Sequence, residues 1–192
     1  MRYNLAMKNF VLALLRTNLP KNYYYHNIEH TVYVLEKALE IGMHEECTKE
    51  ELELLSISAL WHDTGYIKTY SNHEEESCIM SRQYLSDLGF SIDELAKVGG
   101  MIMATKIPQS PNNKLEEILA DADLEYLGTT SVKIKADNLF KELQSIDPAL
   151  TNVKWRKTQI SFLQHHRYFT RFCIENREPF KLIYLNKLIQ GY

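Results

Sequence analysis

Cysteine is scarce in this chain. Cys47, Cys78 and Cys173 are an odd number, far apart and without a C-x-x-C spacing, which argues against a disulfide framework or a thiolate zinc site. Long apolar runs are also missing: nothing approaches a membrane span, and Met1 to Lys8 holds no unbroken apolar stretch of signal-peptide length. A cytoplasmic protein with no membrane partner is the expectation. Neither sign of charge dominates; the net charge of −3 arises from interspersed residues, so there is no strong signal for nucleic acid or an anionic membrane. Strict alternation of apolar and polar residues is absent, which leaves no segment that reads as a strand. Internal repeats, low-complexity tracts and linker-like stretches are lacking too.

What is present is helical periodicity in a globular composition. Apolar residues make up 45% and charged residues 24% of 192 residues, which suits one all-α domain over 1–192 with a real core. The spacing predicts a first helix from about Tyr3 to Asn18, with Phe10, Leu14 and Leu15 inward and Pro20 stopping it. A second starts near Asn27 and ends at Gly42. One side carries Ile28, Val32, Leu35 and Leu39; the other carries His30, Val34, Ala38 and Ile41, so His30 is expected to face protein. Thr48 and Glu51 form a capping-box pattern that opens a third helix, apolar nearly all round and ended by Gly65. A helix through Ile79, Tyr84 and Leu85 ends at Gly89, and Ser91 with Glu94 caps the next. Residues 106–113, with Pro108 and Pro111, read as a loop, followed by a helix carrying Leu115, Ile118, Leu119, Ala122 and Tyr126. Patterns from Ser131 to Leu143, Val153 to Tyr168 and Leu182 to Leu188 complete the bundle, the last after a break at Arg177-Glu178-Pro179.

Three of these segments carry residues that suit a metal. His30, the adjacent His62 and Asp63, and Asp123 combine imidazole with carboxylate, a set suited to Mn, Fe, Co, Ni or Zn rather than to Mg or Ca. Helical neighbours point about 100° apart, so a helix end at Gly65 is what lets His62 and Asp63 converge. Asp123 lies at the edge of its apolar stripe while Asp121 points farther round, so Asp123 is the expected ligand. Asp121 is expected to accept a hydrogen bond from a ligating histidine. Ionised aspartates in apolar surroundings need a compensating cation, and a hydrolytic metal centre is the leading reading.

Tyr25-His26-Asn27…His30, Trp61-His62-Asp63-Thr64-Gly65-Tyr66, His73-Glu74-Glu75-Glu76-Ser77 and Asp121-Ala122-Asp123-Leu124 follow one another between Tyr25 and Gly128. In order and spacing this series resembles the HD-domain superfamily of metal-dependent phosphohydrolases. The resemblance implies an all-α bundle around a central metal held by His30, His62, Asp63 and Asp123, and hydrolysis of a phosphoester, commonly in a nucleotide-like substrate. It implies that His26, one turn before His30, donates a proton to the leaving oxygen, as in the phosphodiesterase branch. It places His73 and Glu74 near the site, with Asp63 and His73 among the catalytic groups and Glu74 toward substrate. Lys68 and Lys106 are the candidate phosphate contacts. Arg156, His165, His166 and Arg167, with Trp155 and Phe162, read as an ordinary amphipathic helix in preference to a nucleotide site.

Two departures from relatives matter. The residues after His62-Asp63 lack the extra acidic residue that some members use to position water, and the additional histidines of dinuclear members are missing, so one metal per chain is expected. Four protein ligands favour a six-coordinate ion, which keeps two positions for water and substrate. The competing readings are a regulatory domain that binds metal or nucleotide without turnover, and an iron-dependent oxygenase on the same fold. A homodimer is compatible with the sequence, which does not fix the oligomeric state.

Overall fold

The computed structural model of the protein describes residues 3–191, and among them ten α-helices and two 3-10 turns occur with no strand. Asn4 caps α1 (Leu5–Asn18) by accepting from the Met7 amide, and Met7, Val11 and Leu15 face the core. The inward stripe is therefore i, i+4, i+8. Phe10 falls beside it and, contrary to expectation, is 45% exposed, its ring stacked on Tyr84.

Helices α2 (Ile28–His44) and α3 (Lys49–Trp61) form the centre of the bundle. The Asn27 side chain accepts from the Glu29 and His30 amides, so α2 begins where His30 lies in its first turn. The side bearing His30, Val34, Ala38 and Ile41 is buried, whereas Ile28, Val32 and Leu39 are only partly so. Gly42 does not end α2. A Cβ there would come within 2.8 Å of the Leu52 side chain, so the glycine allows α3 to approach closely. The Thr48–Glu51 capping box opens α3, and every residue from Leu54 to Trp61 is buried. Each fully buried aliphatic side chain contributes roughly 1.5–3 kcal/mol, which makes this helix the natural anchor for His62 at its C-cap.

A 3-10 turn (Thr64–Ile67) then leads to α4 (His73–Asp87), α5 (Ile92–Ala104) and α6 (Lys114–Leu124). Gly65 lies against the start of α4: a Cβ would sit 1.9 Å from the His73 carbonyl oxygen, and the Gly65 amide donates to Ser77 Oγ at 2.8 Å. Its role is close approach, which brings His73 beside Asp63.

After a second 3-10 turn (Glu125–Gly128), α7 (Val132–Ile146), α8 (Asn152–His165), α9 (Arg171–Asn176) and α10 (Glu178–Gln190) complete the described chain. Two boundaries differ from the sequence expectation. Helix α8 stops at His165 and its cap His166 is extended, because Asp121 holds the amides of Phe169 and Thr170. Helix α10 starts at Glu178, with Pro179 in its first turn where a missing N–H is harmless, so the proline opens the helix that it was expected to precede. No helix among the described residues is long and apolar enough to cross a membrane.

Candidate metal centre

His30 from the first turn of α2, His62 and Asp63 from the end of α3, and Asp123 from the last turn of α6 meet in the middle of the bundle. One ligand atom from each of His30, His62 and Asp123 lies within 4.8 Å of the others. The two Nε2 atoms are 3.4 Å apart, and Asp123 Oδ1 is 3.0 Å from that of His30 and 3.6 Å from that of His62. Asp63 Oδ2 lies 3.3 Å and 3.2 Å from the same two nitrogens.

Two observations show that these atoms suit a cation. Asp63 Oδ2 is buried without a hydrogen-bond partner, an arrangement costly for a carboxylate unless a positive charge compensates it. His62 Nδ1 lies 2.8 Å from the Ala59 carbonyl, which only accepts, so Nδ1 carries the hydrogen and Nε2 turns its lone pair to the cluster. With protons alone in the site, the charges lean on one another. Burial opposes ionisation of Asp63 and Asp123, yet the surrounding imidazoles hold both carboxyls below their usual range. Burial likewise opposes the charged forms of His30 and His62, and the same carboxylates override it and raise both rings. A divalent ion would replace those shared protons with a fixed charge of +2.

Beside the cluster opens a cavity of about 460 Å³, lined at one end by Asp63, Asp123, His26 and His73. His26 is held from two sides. Its Nδ1 donates to Glu142 Oε1, and its Nε2 is 3.1 Å from the Tyr66 hydroxyl. Burial pushes the Tyr66 phenol far above its ordinary value, so it remains protonated, and its oxygen can accept from that nitrogen when the imidazole is protonated or donate to it when it is not. The Tyr66 ring lies between two imidazoles, stacked with its centroid 4.2 Å from that of His26 and 3.7 Å from that of His73. Glu142 is fully buried and accepts from the amides of Tyr25 and His26, at 2.8 and 3.0 Å, and from the Tyr70 hydroxyl at 3.2 Å. Burial would raise its pKa, but these donors pull it below 4.5.

The profile of the HD domain matches residues 27–124, a span that contains all four candidate ligands. The chain belongs to the HD domain family. It is also similar to the crystal structure of a predicted HD superfamily hydrolase from an uncultured Thermotogales bacterium, with 23% sequence identity and a TM-score of 0.59, over 95% of this chain and 91% of the other. At that identity the likeness shows a shared fold. No curated protein matches the chain.

Within this HD domain, the remaining sequence candidates fall into three groups. His73 and Glu74 line the cavity; His73 Nε2 is 3.3 Å from Asp63 Oδ1, and its Nδ1 is 3.6 Å from Glu74 Oε2. Lys106 also lines it, with its Nζ engaged by Glu75 and by Asn72 Oδ1. Lys68 does not join them. It is exposed at the end of the 3-10 turn and outside the cavity lining, because the tight turn that buries Thr64, Gly65 and Tyr66 faces Lys68 to solvent. Asp121 is also placed differently from its expected role. Its oxygens accept from the amides of Phe169 and Thr170 and from the Thr170 hydroxyl, at 3.0, 2.8 and 2.6 Å, so it anchors the segment before α9 instead of orienting a histidine. In the C-terminal basic group, Arg156 donates to the Leu188 and Ile189 carbonyls and His166 meets Lys181, so both serve helix packing.

Glu142 was not singled out in the sequence. The available signal for Glu142 was modest: an acidic residue three positions after Leu139, on the inward side marked by Val132 and Ala136.

Proposed function

We propose that this HD domain is a metal-dependent phosphohydrolase that cleaves a phosphoester of a small substrate. Family membership supports this reaction class at the level of the superfamily. The observation that carries it is the convergence of two imidazole nitrogens and two carboxylate oxygens at the wall of a cavity that also presents a carboxylate-held histidine. His30, His62, Asp63 and Asp123 would hold one divalent ion. That ion, Mn, Fe, Co, Ni or Zn by donor type, would supply Lewis acidity to a phosphoryl oxygen and lower the pKa of water.

The chain's own residues divide the remaining work. In the overall reaction, water oxygen bonds to phosphorus, the ester P–O bond breaks and the leaving oxygen takes a proton. His26 is placed to give that proton from Nε2, because the Glu142 carboxylate on Nδ1 fixes the ring with its other nitrogen toward the cavity. Asp63 offers Oδ2 to the cluster and Oδ1 toward His73, which holds His73 on the cavity wall beside the ligand cluster. Glu74 supports His73 from its other nitrogen and borders the substrate space, while Lys106 borders the rim with its ammonium already engaged by Glu75 and Asn72. A nucleotide-like substrate remains the expectation inherited from the family resemblance.

The test is elemental analysis of the purified protein together with hydrolysis of nitrophenyl phosphate and of mono-, di-, tri- and cyclic nucleotides. About one ion per chain is expected, with turnover suppressed by chelator and restored by metal. Failure to take up any of the five metals would sink the metal site, and inactivity across the panel would favour a regulatory domain. Dioxygen consumption with a polyol would favour the oxidative reading.

A further inference from the structure

The far end of the cavity has a chemistry that the metal centre does not require. There the wall is made by three of the last four helices, with Val132, Leu139 and Leu143 of α7, Trp155 and Phe162 of α8, and Tyr184 of α10. These helices lie outside the residues matched by the HD domain profile, which ends at 124. Polar side chains on that wall are few. Gln159 is one, and its Oε1 already accepts from the Tyr184 hydroxyl at 3.0 Å.

Charge is distributed just as unevenly. Among the cavity-lining residues, Asp63, Glu74 and Asp123 are acidic, no arginine is present, and Lys106 is held by Glu75 and Asn72. One divalent ion would offset the two ligating carboxylates and little more. A polyphosphate, with several charges at neutral pH, would meet no guanidinium fork and no free ammonium. A single phosphoryl group would fit the metal end, and whatever is attached to it would lie against aromatic and aliphatic side chains. The volume of about 460 Å³ suits a small ligand whose non-phosphate part is buried.

Resting on the hydrolase reading above, we infer that the substrate is a phosphomonoester of an uncharged, largely apolar alcohol or phenol, with the phosphoryl group at the metal centre and the hydrocarbon body in the α7–α8–α10 end. Water adds its oxygen to phosphorus, the ester bond breaks, the alcohol oxygen leaves with a proton from His26, and of the two water hydrogens one stays on the phosphate and one restores His26, so the products are inorganic phosphate and the free alcohol or phenol. Aliphatic and aromatic bodies share this chemistry, and the test distinguishes them.

The experiment is calorimetric binding of non-hydrolysable phosphonates to the metal-loaded protein. Benzylphosphonate or hexylphosphonate is expected to bind at least about tenfold more tightly than methylphosphonate, the gain expected from burying about two methylene groups. Whichever is tighter identifies a ring or a chain as the preferred body. Adenosine triphosphate is expected to bind more weakly than either. Leu139→Asp should bring the ratio of long to short phosphonate toward one, with circular dichroism confirming the fold. If that variant does not fold, Leu139→Ala should lower the ratio several-fold. Equal binding of methyl and larger phosphonates, or tighter binding of adenosine triphosphate, would overturn the substrate class even while nitrophenyl phosphate is hydrolysed. Absence of phosphonate binding together with absence of hydrolysis would overturn the hydrolase reading and this inference with it.

Discussion

The two ends of the cavity are built on opposite rules. At the metal end, residues from α2, α3 and α6 carry their polar atoms inward, and the price of burying them is met by mutual pairing and by a site suited to a cation. At the other end, α7, α8 and α10 present aromatic and aliphatic surface with few polar atoms. The four candidate ligands and the apolar wall thus come from different stretches of chain, the ligands inside the family-matched segment and the wall after it, with His26 just before that segment and Glu142 on α7. Changes in the first should act on metal and turnover. Changes in the second should act on which molecule is held.

The largest break in that division is expected from Asp63→Ala. It removes the carboxylate shared by His30, His62 and His73, so metal retention and turnover should both vanish, and elemental analysis reads the first directly. Stability should fall by about 3 kcal/mol in urea denaturation, the range for removing one member of a buried charged set.

His26→Ala sharpens the comparison inside the metal end itself. It should keep the metal and lose roughly 10²–10⁴-fold in turnover, with a smaller loss for leaving groups that need no proton. Loss of the metal in this variant, or full activity on a poor leaving group, would remove His26 from its proposed role.

Glu142→Gln should act across the boundary between the two ends. The Glu142 pKa is lowered on folding, so its stabilising contribution is complete above about pH 4.5, the ordinary value, and is lost as pH falls through the lower folded value. The variant should unfold more easily near neutrality, by about 2 kcal/mol for hydrogen bonds to a charged acceptor, and show a shallower loss of stability in acid. Urea midpoints at several pH values measure both. An unchanged acid limb would show that the carboxylate is not held as described.

Lys68→Ala is the smallest expected effect. Its side chain is exposed and away from the cavity, so turnover should stay within about twofold and stability within about 0.5 kcal/mol. A marked rise in KM would restore Lys68 as a phosphate contact and move the boundary of the site outward.

The metal end was legible in the sequence because its residues lie at helix termini that local chemistry fixes. Asn27 caps α2 just before His30, and the apolar run to Trp61 delivers His62 and Asp63 to the centre. The glycines were harder to read, since Gly42 and Gly65 serve close approach between helices, a relation that requires the partner's position. Lys68 was misplaced for a related reason: proximity in sequence to His62-Asp63 says nothing about which way a tight turn faces. Glu142 was out of reach because its four donors come from Tyr25, His26 and Tyr70, and only the folded chain brings them together. The apolar wall was visible as helix periodicity, but periodicity does not reveal that several inward residues border a void.

The bond between Glu142 and His26 spans 116 residues, which gives the protein an order of assembly as well as a shape. A ribosome delivers the histidine early and the carboxylate that aligns it late. A nascent chain that has emerged only as far as Asp123 already contains all four candidate ligands, yet its His26 still lacks the Glu142 acceptor. The His26 ring that we propose as proton donor is therefore aligned only when α7 docks, and the same docking event raises part of the apolar wall of the cavity.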